Sequence, residues 1–111
     1  VHFWATWCSQ CEEEMTAFES VWRSFEDRDV QFVGVAMDDS LKDVRQLAVS
    51  LDISFPLIVE ENDSVTSLFG ITAVPETFII DPDGNIAFMH IGNVAEEVLS
   101  DEISVLLGEE E

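Results

Sequence analysis

The sequence predicts an α/β domain in which a mixed β-sheet is covered by helices on both sides. Three observations carry this expectation. Short apolar runs alternate with segments of helical periodicity, a hairpin and a last helix close the chain, and two cysteines stand two residues apart where the first apolar run gives way to the first helical pattern. At 111 residues with 47% hydrophobic residues, the chain is long enough for one domain with a substantial core. It reads as a single domain over residues 1–108 followed by the acidic tail Glu109-Glu110-Glu111, with no internal repeat or low-complexity linker.

The elements follow in order. Val1-His2-Phe3-Trp4-Ala5 is an apolar run that predicts a strand already under way at the first residue, and with it a leader, anchor or further strand upstream. From Cys11 onward, Met15, Phe18, Trp22 and Phe25 recur at steps of four, three, four and three, which defines one buried stripe of a helix. Val30 to Met37 is a nearly continuous apolar run, as expected of a strand covered on both faces. Ser40 with Asp43 resembles a capping box, and Leu41, Val44, Leu47, Ala48 and Leu51 follow at helical spacing. Phe55 to Val59 reads as a short buried strand, and Ser64 to Phe69 as a brief helix closed by Gly70. Thr77 to Asp81 and Asn85 to Ile91 flank the turn Pro82-Asp83-Gly84 and predict a β-hairpin. Asn93 with Glu96 starts the last helix, whose inward face is expected to be Val98, Leu99, Ile103, Leu106 and Leu107.

Cys8 and Cys11 are the only cysteines of the chain. A thiolate in the first turn of a helix is stabilised by unpaired backbone N–H groups and the positive end of the helix dipole, so it attacks disulfides at neutral pH. Cys8 is therefore the expected nucleophile, and Cys11, on the apolar stripe, the shielded resolving thiol. A structural disulfide and a metal half-site are the alternatives. The first would remove little chain entropy across so short a loop, and the second lacks a partner CxxC or spaced histidine pair. A related alternative is a Cu(I)-handling protein using Cys8, Cys11 and His90, because soft thiolates suit Cu(I). The dithiol is expected at the carboxyl end of a central strand, where open α/β sheets place their sites.

Charge separates other classes. Twenty-four acidic residues against four basic ones, Arg23, Arg28, Lys42 and Arg45, leave a formal net charge of −20. Nucleic acid is excluded as a partner, because phosphate contacts need a Lys/Arg surface. The acidic residues are spread along the chain, so a solvated face everywhere is expected, with a halophilic source the simplest origin and steering toward a basic partner its rival. No run of apolar residues is long enough to span a membrane and no signal segment is present, so the chain as given reads as soluble.

Phe3-Trp4-Ala5-Thr6-Trp7-Cys8-x-x-Cys11, Val74-Pro75-Glu76-Thr77-Phe78-Ile79-Ile80-Asp81 and Gly84 together resemble thioredoxin-fold proteins. FWATWC, a Glu three residues after the second Cys and PETFxID are similar to the extracytoplasmic thiol:disulfide reductases of the TlpA, ResA and CcmG (DsbE) group. The resemblance spans almost the whole chain but lacks the N-terminal hairpin, or strand and helix, that such proteins usually carry. It implies a thioredoxin-like fold, with Cys8 as attacking thiol, Cys11 as resolving thiol and Pro75 as the cis-proline facing them. Val74 and Trp7 are implied as substrate contacts, Trp7 covering the thiol, and Glu76 as a residue of the same cleft. Glu14 shares a helix face with Cys11, and partial burial would raise its pKa and make it a proton acceptor for Cys11. The rival reading of Glu14 is a first-turn carboxylate favoured by the helix dipole alone. His2 departs from the family pattern and is read as a satisfied core residue, with proton transfer to the cleft as the alternative; His90 is read as structural.

The resemblance further implies a thiol:disulfide oxidoreductase working in the reductase direction on a protein with a cysteine pair, by analogy the CxxCH cysteines of apocytochrome c. No cofactor is expected beyond the redox-active disulfide Cys8–Cys11. An upstream thiol donor, a membrane reductase in such families, is implied, as are a monomeric state and a location outside the cytoplasm. A general thioredoxin and a protein-disulfide oxidant share most of these motifs.

Overall fold

A computed structural model of the protein describes residues 1–108; the expected tail 109–111 lies outside the described residues. Five strands and four helices follow one another as β1 (His2–Trp4), α1 (Ser9–Phe25), β2 (Gly34–Ala36), α2 (Leu41–Leu51), β3 (Leu57–Val59), α3 (Ser64–Phe69), β4 (Glu76–Ile80), β5 (Ile86–Ile91) and α4 (Glu96–Leu107). The sheet order is β3-β2-β1-β4-β5, with β1, β2 and β3 parallel and β4 and β5 antiparallel to their neighbours. This is the predicted mixed α/β sheet, in the thioredoxin-like arrangement.

Alternation along β1 divides the core. Trp4, with no exposed surface, joins Cys11, Met15, Phe18, Val44, Leu99 and Ile103 in the larger cluster, which α1, α2 and α4 cover. Phe3 faces the other way and packs with Val35, Phe78 and, from α3, Val65 and Phe69. Phe3, Phe69 and Phe78 meet at tilted or edge-on angles with centroids 4.9–5.8 Å apart, as aromatic quadrupoles favour. Helices thus lie on both faces, and the sheet between them carries β1 at its centre.

Several predicted boundaries move. The run Val30 to Met37 contains a strand only at Gly34–Ala36, because the pairing with β1 begins at His2 opposite Gly34. Pro56 has no N–H to give to a ladder, so β3 starts at Leu57 while the Pro56 carbonyl accepts from Gly34. Val21 is buried on α1, and Trp22 is half-buried against Phe32. The expected start of α4 at Asn93 is corrected: the helix begins at Glu96 with Ala95 as its N-cap, which has no side-chain cap. Val98 and Leu106, expected inward, are exposed, because the 99/103/107 stripe alone faces the core. Ser40 caps α2 by accepting from Asp43 N–H at 3.1 Å. Gly70 closes α3 at φ +67°, and Gly84 takes φ +87° in the 82–84 turn. Among the described residues, no helix is long and apolar enough to cross a membrane.

Candidate active site

The site is built where β1 ends and α1 begins. Ala5 and Thr6 leave the sheet, and the Asp39 carboxylate clamps this turn from the next strand's end, accepting from Thr6 N–H at 2.6 Å and Thr6 Oγ1–H at 2.7 Å. Trp7 follows with 59% of its surface exposed, its indole N–H donating to the Asp38 carbonyl at 2.8 Å. Cys8 is the N-cap of α1, in extended conformation, with no side chain capping the helix in its place. Cys8 thus stands at the end of α1 where the first-turn N–H groups have no side-chain cap and the helix dipole is positive, an environment that favours a thiolate over a thiol.

Cys8 and Cys11 are joined as a disulfide, with Cα atoms 5.3 Å apart. Cys8 is half-exposed and Cys11 has no exposed surface, so one sulfur meets solvent and the other is shielded. Across the cleft the Val74–Pro75 peptide is cis, and the Cys8 Sγ lies 3.9 Å from the Val74 carbonyl oxygen. The dithiol, Val74 and Pro75 thus assemble from residues more than sixty positions apart.

Glu14, one turn after Cys11, is buried at 3% exposure while its neighbours Glu12 and Glu13 are exposed. Burial pushes its carboxyl above the usual carboxylate range, against the backbone N–H of Val94 and the charge of His90, which pull it down. Val94 N–H donates to both Glu14 oxygens, at 3.2 and 3.3 Å. Glu76, directly after Pro75, pairs in the sheet with Phe3 and Ile91; it is buried, and burial likewise raises its pKa. In both carboxyls the upward shift comes from burial, which the helix dipole alone would not produce.

His2 is core, stacked on Phe18 with centroids 4.1 Å apart, its Nδ1 3.2 Å from Thr77 Oγ1. It is only half satisfied, because its Nε2 has no hydrogen-bond partner. Asp38, Asp39 and Val94 escaped sequence reading. Asp39 acts on a residue 33 positions away, and Val94 acts through its backbone, so neither leaves a local pattern. Among the described residues, no group of three or more histidine, cysteine, aspartate or glutamate side chains is placed to share a metal ion.

A cysteine at the helix N-terminus, a buried second cysteine and a cis-proline opposite them, on a five-stranded mixed sheet, define the class of thioredoxin-fold thiol-disulfide oxidoreductases. Residues 1–89 match the AhpC/TSA family, to which the chain belongs. It is similar to the thiol-disulfide oxidoreductase ResA of Geobacillus thermodenitrificans, 27% identical over 97 residues that cover 87% of this chain and 56% of the relative. ResA of Oceanobacillus iheyensis is 33% identical over 86 residues, 78% of this chain and 45% of the relative. A thiol:disulfide interchange protein of the thioredoxin family from Chlorobium tepidum superposes with a TM-score of 0.87 at 26% identity, covering 96% of this chain and 77% of that one. The chain spans about half the length of the curated relatives it matches.

Proposed function

We propose that this domain reduces protein disulfides in a space outside the cytoplasm, with cysteine pairs of the CxxCH kind in apocytochrome c as its substrate class. The observation that carries this reading is the buried Glu14 carboxyl one turn from the shielded Cys11, on the helix that presents Cys8 opposite a cis-proline. Cys8 thiolate attacks a substrate disulfide; the Cys8–substrate S–S bond forms and one substrate sulfur leaves as thiolate. Glu14 carboxylate then takes the Cys11 proton, Cys11 thiolate attacks Cys8 Sγ, and the Cys8–Cys11 bond forms as the second substrate sulfur departs. Electrons pass from the dithiol to the substrate, and no further group is required in the exchange. A thiol donor, a membrane reductase by analogy with the family, returns the couple to the dithiol. Val74 and Pro75 present an extended substrate strand to Cys8, with Trp7 and Glu76 flanking it.

Two measurements test the reading. Redox equilibration of the Cys8–Cys11 couple is expected near or below about −270 mV, the thioredoxin end of the scale; a potential near about −120 mV would make the protein an oxidant and overturn the direction. With a CxxCH peptide disulfide, Cys11→Ser is expected to trap the mixed disulfide on Cys8. Glu14→Gln is expected to slow its resolution about 10²-fold in stopped-flow kinetics, and an unchanged rate would remove Glu14 from the reaction.

A further inference from the structure

His90 takes no part in the exchange as derived, yet it is tied to the carboxyl that does. It is half-buried on β5, its ring parallel to Phe88 within 4° at a centroid distance of 6.3 Å. Its Nε2 lies 2.8 Å from the Asn93 carbonyl oxygen. A carbonyl only accepts, so Nε2 carries a proton and donates. The N–H of that same peptide unit belongs to Val94, and it donates to both oxygens of Glu14. One peptide group therefore accepts from His90 at its oxygen and donates to Glu14 at its nitrogen. Hydrogen bonds in series polarise one another, so a stronger donor at the carbonyl end makes the N–H end a stronger donor in turn.

The segment around this peptide is held elsewhere too. Gly92, at φ +91°, donates its N–H to the Pro75 carbonyl at 2.9 Å, and the Ala95 carbonyl accepts from Leu99 N–H in the first turn of α4. Residues 90–95 thus run from the cis-proline to the head of α4 and meet Glu14 on the way. Among the charged groups on the elements packed there, Glu12 and Glu13 of α1 and Glu96 and Glu97 of α4 are exposed, and Glu76 of β4 is buried. His90 is the group whose charge acts on Glu14.

We propose that His90 is a positioning residue for the proton acceptor of the dithiol: through the Asn93–Val94 peptide it holds the N–H that supports the Glu14 carboxylate and so sets how readily Cys11 is deprotonated. The inference rests on the role of Glu14 given above. In the resolving step the Cys11 proton moves to Glu14 carboxylate, the Cys8–Cys11 bond forms and the Cys8–substrate bond breaks. His90 gains and loses no proton in that step. It weights the ionised form of Glu14 from outside the cleft.

The test is a carbon-detected NMR titration of the Glu14 carboxyl in the oxidised full chain, where neither thiol titrates, for wild type, His90→Phe and His90→Gln. Phenylalanine keeps the stack on Phe88 and deletes the donor; glutamine restores a donor within reach of the Asn93 carbonyl. The Glu14 midpoint is expected to rise by about half a pH unit or more in His90→Phe and to return toward wild type in His90→Gln, with the Val94 amide exchanging faster in the former. The pH profile of mixed-disulfide resolution is expected to move with it. A midpoint that stays put in folded His90→Phe, or that His90→Gln fails to bring back, overturns the proposal. Because the titration needs no turnover, it stands apart from the Glu14→Gln kinetics, which alone decide whether Glu14 serves Cys11.

Discussion

His2 is the residue at which packing and protonation conflict most directly. Its ring is stacked on Phe18, one nitrogen meets Thr77 Oγ1 and the other has no partner, so a second proton would have to be carried where nothing receives it. Burial lowers its pKa from 6.5 to about 3. The folded state therefore holds the neutral ring while the unfolded chain takes up a proton below its ordinary pKa. Folding stability is complete above that value and falls as the pH drops from about 6.5 toward 3, by up to about 1.4 kcal/mol per pH unit. His2→Asn keeps a polar group for Thr77 and cannot titrate. Urea denaturation at pH 7, 5.5 and 4.5 is expected to show a shallower acid limb in the variant, and parallel limbs would refute the assignment.

At the scale of elements, a close approach sets the spacing between β2 and its neighbours. A Cβ at Gly34 would stand 2.7 Å from Leu57 Cδ2, 3.0 Å from Trp4 Nε1 and 3.3 Å from Phe55 Cε1. Leu57 can turn aside, but the Trp4 indole is wholly buried and fixed by the larger core cluster. Gly34→Ala is expected to cost about 1–3 kcal/mol, read as a lower denaturant midpoint with an unchanged m-value; an unchanged midpoint would show that the strands give way freely. Nothing local in the run Val30 to Met37 marks that glycine, since the clash involves two other strands. The same limit explains what else the sequence hid. Periodicity and turn residues disclosed α1, α2, the hairpin and the Gly70 cap, and Cys8, Cys11, Pro75 and Glu14 were legible because the motif holds them at fixed spacings. The start of α3 was legible only as a location: its first N–H groups are served by Asn62, which accepts from Ser64, and by Glu60, which accepts from Val65 and Thr66, not by a residue at the N-cap. Asn93 misled for the opposite reason. It has the composition of a cap, but its peptide is occupied with His90 and Glu14, so α4 begins three residues later.

For the whole molecule, the dominant quantity is a net charge of −20 on a body with a radius of gyration of 13.5 Å. Only three carboxylates among the described residues, Glu14, Glu19 and Glu76, are buried. Glu19 is neutralised locally by Arg23 and held by Ser54, so it adds little to the long-range field. The exposed carboxylates repel one another, and the range of that repulsion depends on salt. In 10 mM salt the screening length is about 30 Å, longer than the radius of the molecule, so every charge acts on every other. In 1 M salt it is about 3 Å, and only near neighbours still interact. Folding gathers these charges, so the folded state gains more from screening than the expanded chain does. The melting temperature is therefore expected to rise on adding sodium chloride from 10 mM. The gain should be steepest below about 0.2 M, flatten as the screening length falls under the spacing between charges, and amount to about 4–8 °C for each kcal/mol of repulsion removed. Differential scanning calorimetry at fixed pH checks both the rise and its curvature. A melting temperature flat across the range would mean that the acidic surface costs the fold nothing, and would shift its explanation to attraction of a basic partner, whose association rate should then fall with salt.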